Sequence, residues 1–526
     1  MADRRTATSH PEPSVPTLAV IDMGASAVRL VVAERVDGQA FRVLEEASRG
    51  ILLGRDTFSH GVIGSETIES ALRALEGFRA IMSGYGAYVC RAVATSAVRE
   101  ARNSDTFLDR VRIRTGFDFE VISESEEIRL VYLSVRRALQ EHAALKASRA
   151  LIVEVGGGGA GLTLLTRGQP RQSGVYSLGA VRMRQSLGLS RHEQDQRLSL
   201  LRRYITNVLD EIREEMPIAR ASWLIAAGGD ARFAASQLLE TDEGETAREL
   251  SRDQFLAFCD ALEIESEERL AEKYRLPAAE VETLVPAMLV YRALLTETGA
   301  PHIVVPAASL RAGLLIDMTS GDGRPGEEDF ERQVLASAEA LGRRYHYDAA
   351  HGHAVMTLST RLFEELQEEH GLGPRERLLL QVAALLHDIG IVVSLRAHHK
   401  HSQYLLSASQ IFGLSNDDLA VVSNVARYHR RGLPQKSHLP YIALDRHDRM
   451  IVNKLAAIVR LANALDAEHL QKVQDVHLAR QEDEWVLDMV GSGDLTMERM
   501  AAQARADMFG EVFGHRLVVR GAGVQG

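Results

Sequence analysis

One pattern, written twice, limits the fold of this chain more than anything else in it. From Leu18 the sequence reads strand (LAVID), a small-residue turn (MGASA), strand (VRLVVAERV), an Asp37-Gly38 turn and strand (AFRVLEEAS), a meander with a hairpin signal. The same order returns as ALIVEV, GGGGAG, LTLLTR, GQP and RQSGVYS. Each copy places an acid near the end of its first strand with glycine two positions on, Asp22-Met23-Gly24 and Glu154-Val155-Gly156. Repetition of this kind predicts a duplicated α/β domain with a cleft between the copies. Strand–glycine–strand meanders are common enough that coincidence stays open.

The rest of the chain divides by pattern. At 526 residues it is too long for one ordinary domain. Residues 1–16 read as a disordered tail, 17–140 and 141–318 as the two copies, and the Gly/Pro/acid stretch 319–328 as a linker. Residues 329–472 are nearly all helical in pattern, and 473–526 read as a small α+β domain. In the first copy, Ser65 is expected to cap a helix that turns Ile68, Leu72, Leu75 and Met82 to one face. Cys90 and Cys259 are the only cysteines, which excludes a disulfide framework and a cysteine-based zinc site. A net charge of -11 argues against nucleic acid as the main partner. No apolar run reaches the roughly 18 residues of a membrane helix, and residues 1–16 lack an apolar signal core. A soluble cytoplasmic protein is expected.

Several residues carry possible chemistry. The run Gly156–Gly159 leaves backbone N–H groups free to surround a phosphate; the bland alternative is a tight turn that needs positive φ. Asp22 and Glu154, at equivalent strand ends, suit a hydrated Mg²⁺ bridging phosphate oxygens, or are ordinary turn acids. Thr95 and Ser96 begin a helix after a strand, and Arg99 adds a bidentate fork, which makes either an anion site or a plain cap. The acids of Ser123–Glu127 complement a helix dipole by default.

Together these segments resemble the exopolyphosphatase / guanosine pentaphosphate phosphohydrolase (Ppx/GppA) family. The resemblance rests on IDMGASAVRL, LGRDTFSHGVIGSETIESALRAL, ATSAVREARN, ISESEEIRLVYLSV, EVGGGGAGL, SLGAVRM, AAGGDAR and SLRAGLL, in that order. It implies a duplicated actin-like (ASKHA, RNase H-like) fold and Mg²⁺-dependent hydrolysis of a terminal phosphoanhydride in polyphosphate or guanosine pentaphosphate. By the same resemblance Glu127 positions or deprotonates the attacking water. Gly24, Ser26, Thr95, Ser96, Arg99 and Gly156, Gly157 and Gly158 bind phosphate, Asp22 and Glu154 hold the metal, and the protein is a homodimer. The chain departs from the family in both turns. Ala25 and Ala27 lack hydroxyls, Glu154 replaces aspartate, and Gly159, Ala160 and Gly161 replace Ser-Thr-Glu. Restoring the last three through Gly159→Ser, Ala160→Thr and Gly161→Glu is expected to raise the rate. A weakened member that senses polyphosphate or a nucleotide without turnover is the alternative.

Twelve of the 19 histidines lie between His346 and His469. His351 and the pair His387-Asp388 resemble the HD superfamily of metal-dependent phosphohydrolases. Its last acid is replaced by Asn463, a poor metal ligand. The expectation is therefore a vestigial HD-like site without a stoichiometric metal. Lys400, His401, Arg427, His429, Arg430 and Arg431 are expected to bind polyanion, with a solvated basic face as the bland alternative.

Overall fold

The computed structural model describes residues 17–36, 40–239, 246–319, 327–430, 432–481 and 484–521. The expected tail, the Asp37-Gly38 turn, most of the 319–328 linker and Arg431 lie outside the described residues. Two compact units divide the chain, one of residues 1–169 and 174–325 and one of residues 326–526 with the short segment 170–173. No helix of the described residues is long and apolar enough to cross a membrane.

The first unit contains two mixed sheets. One is made of β1 (Thr17–Met23), β2 (Ala27–Val36), β3 (Ala40–Gly50), β4 (Val89–Ala94) and β5 (Phe119–Val121), in the order β3-β2-β1-β4-β5. The other is made of β6 (Ala150–Val155), β7 (Ala160–Thr166), β8 (Gln169–Tyr176), β9 (Trp223–Ala227), β10 (Ala247–Ser251) and β11 (His302–Pro306), in the order β10-β11-β9-β6-β7-β8. In each, the first strand pairs antiparallel with the second and parallel with the fourth. Parallel pairing buries strands on both faces, which is why β1 and β6 are almost continuously apolar.

The repeat holds residue by residue. Asp22 stands opposite Arg29 on β2 and Val93 on β4; Glu154 stands opposite Gly161 on β7 and Ala227 on β9. Both turns close with the same bond, Gly24 N–H to Ala27 O at 3.0 Å and Gly156 N–H to Gly159 O at 2.9 Å. Coincidence does not produce two hairpins in one register, so the duplication is real.

The helix Ser65–Gly84 buries Ile68, Leu72, Leu75 and Met82 as its period requires. Ser65 is its first residue rather than its cap; Gly64 takes that place, with its N–H donated to Asp56. The helix Leu310–Thr319 lies hard against the helix Glu124–Ala138. A Cβ at Gly313 would come 2.1 Å from Leu130 O, so glycine there permits the close packing that fixes both helices at the cleft.

The second unit runs as helices from Glu327 to Ala464. A three-stranded sheet follows, β12 (Val473–Gln481), β13 (Glu484–Gly491) and β14 (Arg516–Gly521), with helices Thr496–Gln503 and Ala506–Phe513. One apolar core joins helices and sheet: Leu380, Val422 and Val459 belong to the same cluster as Trp485, Phe509 and Leu517. The boundary read at 472/473 runs through this shared core.

Candidate active site

A cleft of about 560 Å³ opens where the two turns of the first unit meet. It gathers Asp22, Gly24, Ser26, Thr95, Ser96, Arg99, Glu127, Glu154, Gly156, Gly157 and Gly158, all the candidates read from this half of the sequence.

The four glycines are not there for φ. None of Gly156–Gly159 is among the positive-φ glycines, so the tight-turn alternative fails. They are there for closeness. A Cβ on Gly158 would fall 2.0 Å from Ser96 Oγ, and one on Gly157 would fall 2.9 Å from Ala25 Cβ. The segment after β8 presses from the other side: Ala180 and Arg182 donate N–H to Gly156 O and Gly157 O, both at 3.0 Å. Arg182 also donates through Nε to Gly158 O, pairs with Glu100, and lies 4.2 Å over the Phe58 ring. The expected restoration of Gly159→Ser meets this crowding. A Cβ there would be 2.8 Å from Val175 Cγ1 and 3.1 Å from Tyr176 O, whereas one at Gly161 meets only Ile128 Cγ1 at 3.5 Å. Gly161→Glu has room and Gly159→Ser does not.

The acids differ in setting. Asp22 is buried and accepts from Arg311 Nη1 at 3.2 Å, with Arg29 Nη1 at 4.0 Å. Burial pushes the Glu154 carboxyl up to about 7, and the charge of Asp22 adds to that push against Arg232, Arg29 and Arg311. Burial likewise pushes Glu127 up to about 7, opposed by Arg99 and reinforced by Glu154 and Asp22. Asp22 thus disfavours ionisation of both glutamates, and Glu154 that of Glu127. Asp22 and Glu154 form an oxygen-only donor set, the kind that fits a hard divalent cation such as Mg²⁺.

Glu127 sits in the first turn of its helix, behind the cap Ser123. Its Oε1 accepts from Arg99 Nη1 at 2.7 Å, and the same nitrogen donates to Ile122 O at 2.6 Å. Arg99, expected on phosphate, is turned to the acid. Thr95 N–H donates to Met23 O at 3.2 Å and joins the short helix start to the first turn.

Seven charged residues of the cleft were not singled out from sequence: Arg29, Glu46, Arg182, Asp230, Arg232, Glu280 and Arg311. Asp230, Arg232 and Arg311 lie in the AAGGDAR and SLRAGLL stretches, which were the available signal. Burial pushes Asp230 up to about 7, and burial together with Arg311 lowers Arg232. Behind them, the Tyr291 hydroxyl accepts from Val155 N–H at 3.1 Å and donates to Ala227 O, holding β6 and β9 together below the cleft.

In the second unit, His351, His387, Asp388 and Asn463 do come together. His351 Nδ1 meets Asp466 Oδ2 at 2.7 Å, and its Nε2 lies 3.0 Å from Asn463 Oδ1. Asp466 therefore orients His351. Of the expected polyanion residues, Lys400 is exposed and His401, Arg427 and Arg430 are half-buried. His429 is a correction: it is 1% exposed and its Nε2 faces Asp388 at 3.2 Å. A side chain enclosed in this way is closed to a polymer in solvent.

Comparison with known proteins covers both units. A model described as the Ppx/GppA phosphatase family matches residues 31–321, and one described as Ppx/GppA phosphatase, domain III matches residues 334–501. A guanosine-5'-triphosphate,3'-diphosphate pyrophosphatase of Vibrio cholerae serotype O1 (strain ATCC 39541 / Classical Ogawa 395 / O395) is 23% identical over 491 residues, covering 91% of this chain and 93% of its own. Another, from Vibrio vulnificus (strain YJ016), is 22% identical and covers 80% of this chain and 81% of its own. Among solved structures, an exopolyphosphatase from Cytophaga hutchinsonii ATCC 33406 superimposes with a TM-score of 0.53 at 22% identity, covering 59% of this chain and 98% of that one.

Proposed function

This chain belongs to the Ppx/GppA phosphatase family, and from that premise we propose that it hydrolyses the terminal phosphoanhydride of inorganic polyphosphate or guanosine pentaphosphate. The observation that carries this reading is the meeting of Glu127, Arg99, both acids and the glycine turn in one cleft. The names of the curated relatives and of the solved exopolyphosphatase supply the two substrates.

The residues divide the work. Backbone N–H groups of Gly157, Gly158, Ala25 and Ser26 bind phosphate oxygens, those of Gly24 and Gly156 being spent on closing the turns, with Ser26, Thr95 and Ser96 as hydroxyl donors. Arg29, Arg232 and Arg311 add positive charge. Glu127 takes the proton of the attacking water, a role suited to a carboxylate poised near 7. When Arg99 turns to a substrate phosphate, Glu127 loses the partner that lowers it and becomes a stronger base. Positioning and charge do most of the rest, since phosphoryl transfer asks little covalent chemistry of the protein. Asp22 and Glu154 would hold a Mg²⁺, whose charge would neutralise the phosphate oxygens when bound. A cytoplasmic homodimer, and an HD-like character for the helices of the second unit, belong to the same proposal.

The test is phosphate release from long-chain polyphosphate and from guanosine pentaphosphate, with and without Mg²⁺. Release from either, abolished by chelation, supports the enzyme. Tight binding of either without release would overturn it in favour of the sensing alternative raised by the altered turns.

A further inference from the structure

Contacts climb the seam between the helix Leu310–Thr319 and the helix Glu124–Ala138 in equal steps. Ser309 N–H donates to Ser134 Oγ at 3.1 Å. One turn further, Gly313 makes room for Leu130 O. One turn further again, Asp317 Oδ1 accepts from Arg129 Nη2 at 3.0 Å. Arg129 also grips Glu126, through Nε at 2.7 Å and Nη2 at 2.8 Å. Ser309, Gly313 and Asp317 thus meet Ser134, Leu130 and Glu126 with Arg129, stepping in opposite directions along the two helices. Such rows are the ridges through which packed helices fix each other's rotation and register.

The last step reaches a third element. Asp317 Oδ2 accepts from Arg91 Nη1 at 2.7 Å. Arg91, on β4, also donates to Glu120 on β5 through Nε at 3.3 Å and Nη2 at 3.2 Å. Each oxygen of one carboxylate is therefore held by a guanidinium from a different element. The side chains of Arg129 and Asp317 are only 13% and 18% exposed, so solvent screens the junction weakly. Burial works against the charge of Arg129, yet Glu126 and Asp317 hold it above the ordinary guanidinium range. All three elements continue into the cleft. β4 runs on into Thr95, Ser96 and Arg99, the helix from Glu124 presents Glu127 to Arg99, and the helix from Leu310 sets Arg311 on Asp22. Asp317 itself does not line the cleft; it lies roughly 9 Å along the helix from Arg311 at 1.5 Å per residue.

We propose that Asp317 is a positioning residue, a role that rests on the hydrolytic reading of the cleft. By gripping Arg91 and Arg129 together it fixes where Arg311, Glu127 and the Thr95–Arg99 segment stand relative to one another. No contact with substrate is needed. A helix is stiff, so a change of rotation or register at Asp317 is carried along it to Arg311. A misplacement of about 1 Å at reacting groups can cost roughly 100-fold in rate. The competing explanation is a junction that contributes to stability alone.

The test compares Asp317→Asn and Asp317→Glu with the parent in the full chain, with Glu69→Gln as a control. Glu69 also accepts from two arginines, Arg110 Nη2 at 2.6 Å and Arg114 Nη1 at 2.8 Å, but its helix and theirs contribute no residue to the cleft. On whichever of polyphosphate and guanosine pentaphosphate the parent hydrolyses, Asp317→Asn should lower kcat roughly 10- to 100-fold while KM changes less than about threefold. The acid limb of its pH–rate profile should move upward. Glu127 drawn away from Arg99 loses the partner that lowers it and keeps Glu154 and Asp22, which raise it. Asp317→Glu keeps the charge but changes the reach, and should recover the melting temperature more fully than kcat. Glu69→Gln should keep the parent's kcat. Amide hydrogen exchange reads the same role without turnover: in Asp317→Asn it should quicken at residues 95–99 and in the first turn of the helix Glu124–Ala138, and stay unchanged in β6–β8. Should Asp317→Asn fail to fold, Asp317→Glu carries both comparisons. A loss of kcat that vanishes when rates are scaled to the folded fraction, or exchange raised evenly through the unit, would overturn the proposal in favour of a purely stabilising junction. A parent that releases no phosphate from either substrate would overturn the hydrolytic reading instead, and the exchange pattern alone then decides whether Asp317 positions the cleft.

Discussion

The two turns of the duplicated unit have one backbone and two characters. Asp22 and Glu154 occupy the same register position, and the turns after them close with the same bond. The first acid accepts from Arg311, while burial and its neighbour push the second up to about 7. The first turn carries side chains. The second carries none, because Ser96 and the segment after β8 crowd it. Duplication preserved the geometry, and what packs against each copy set its chemistry.

The largest expected effect lies at the residue on which both acids act. Glu127→Gln keeps the size of the side chain and removes its ability to take a proton. We expect kcat to fall about 10²-fold or more with KM nearly unchanged. Because the carboxyl must be ionised, activity of the parent should also fall as pH drops below about 7. Parent-like turnover in the variant would leave the two turns without a shared catalytic partner.

Next comes steric asymmetry. Gly158→Ala drives a methyl into Ser96, and overpacking of this kind costs about 1–3 kcal/mol. Gly24→Ala meets nothing nearer than Ala27 O at 3.5 Å and should leave the melting temperature nearly unchanged. Equal melting temperatures for the two variants would break the comparison.

Electrostatic asymmetry should be smaller. Ionised Glu154 is the costly form in the fold, so metal binding must expel its proton when pH lies below about 7. Apparent Mg²⁺ affinity should therefore rise from about pH 6 to pH 8, by at most about tenfold per unit. Glu154→Asp, one methylene shorter, should lower the Mg²⁺ needed for half activity. A pH-independent Mg²⁺ requirement would show that Glu154 is not a ligand. Smallest of all, Gly161→Glu adds an acid where a Cβ has room and should raise the rate modestly; a melting temperature lowered by several degrees would show that the pocket beside Ile128 is closed to it.

Much of this was legible in the sequence because it is local. Strand period, turn residues and the place of an acid relative to a glycine are set within a few residues, so the repeat and the occupants of the cleft could be read directly. The helix around Ile68 and Leu75 was legible for the same reason. Other features depend on segments far apart in the chain. Arg311 reaches Asp22 from 289 residues away, and Arg99 is turned to Glu127 rather than left open for phosphate. The glycine run answers to Ser96 and Gly179, not to its own φ. His429, one basic residue among several in sequence, is sealed inside and aimed at Asp388. Sequence determined which groups the chain carries and which backbone turn presents them. Only tertiary packing decided which charges meet and which side chains are sealed from solvent, because those depend on distances that no local pattern encodes.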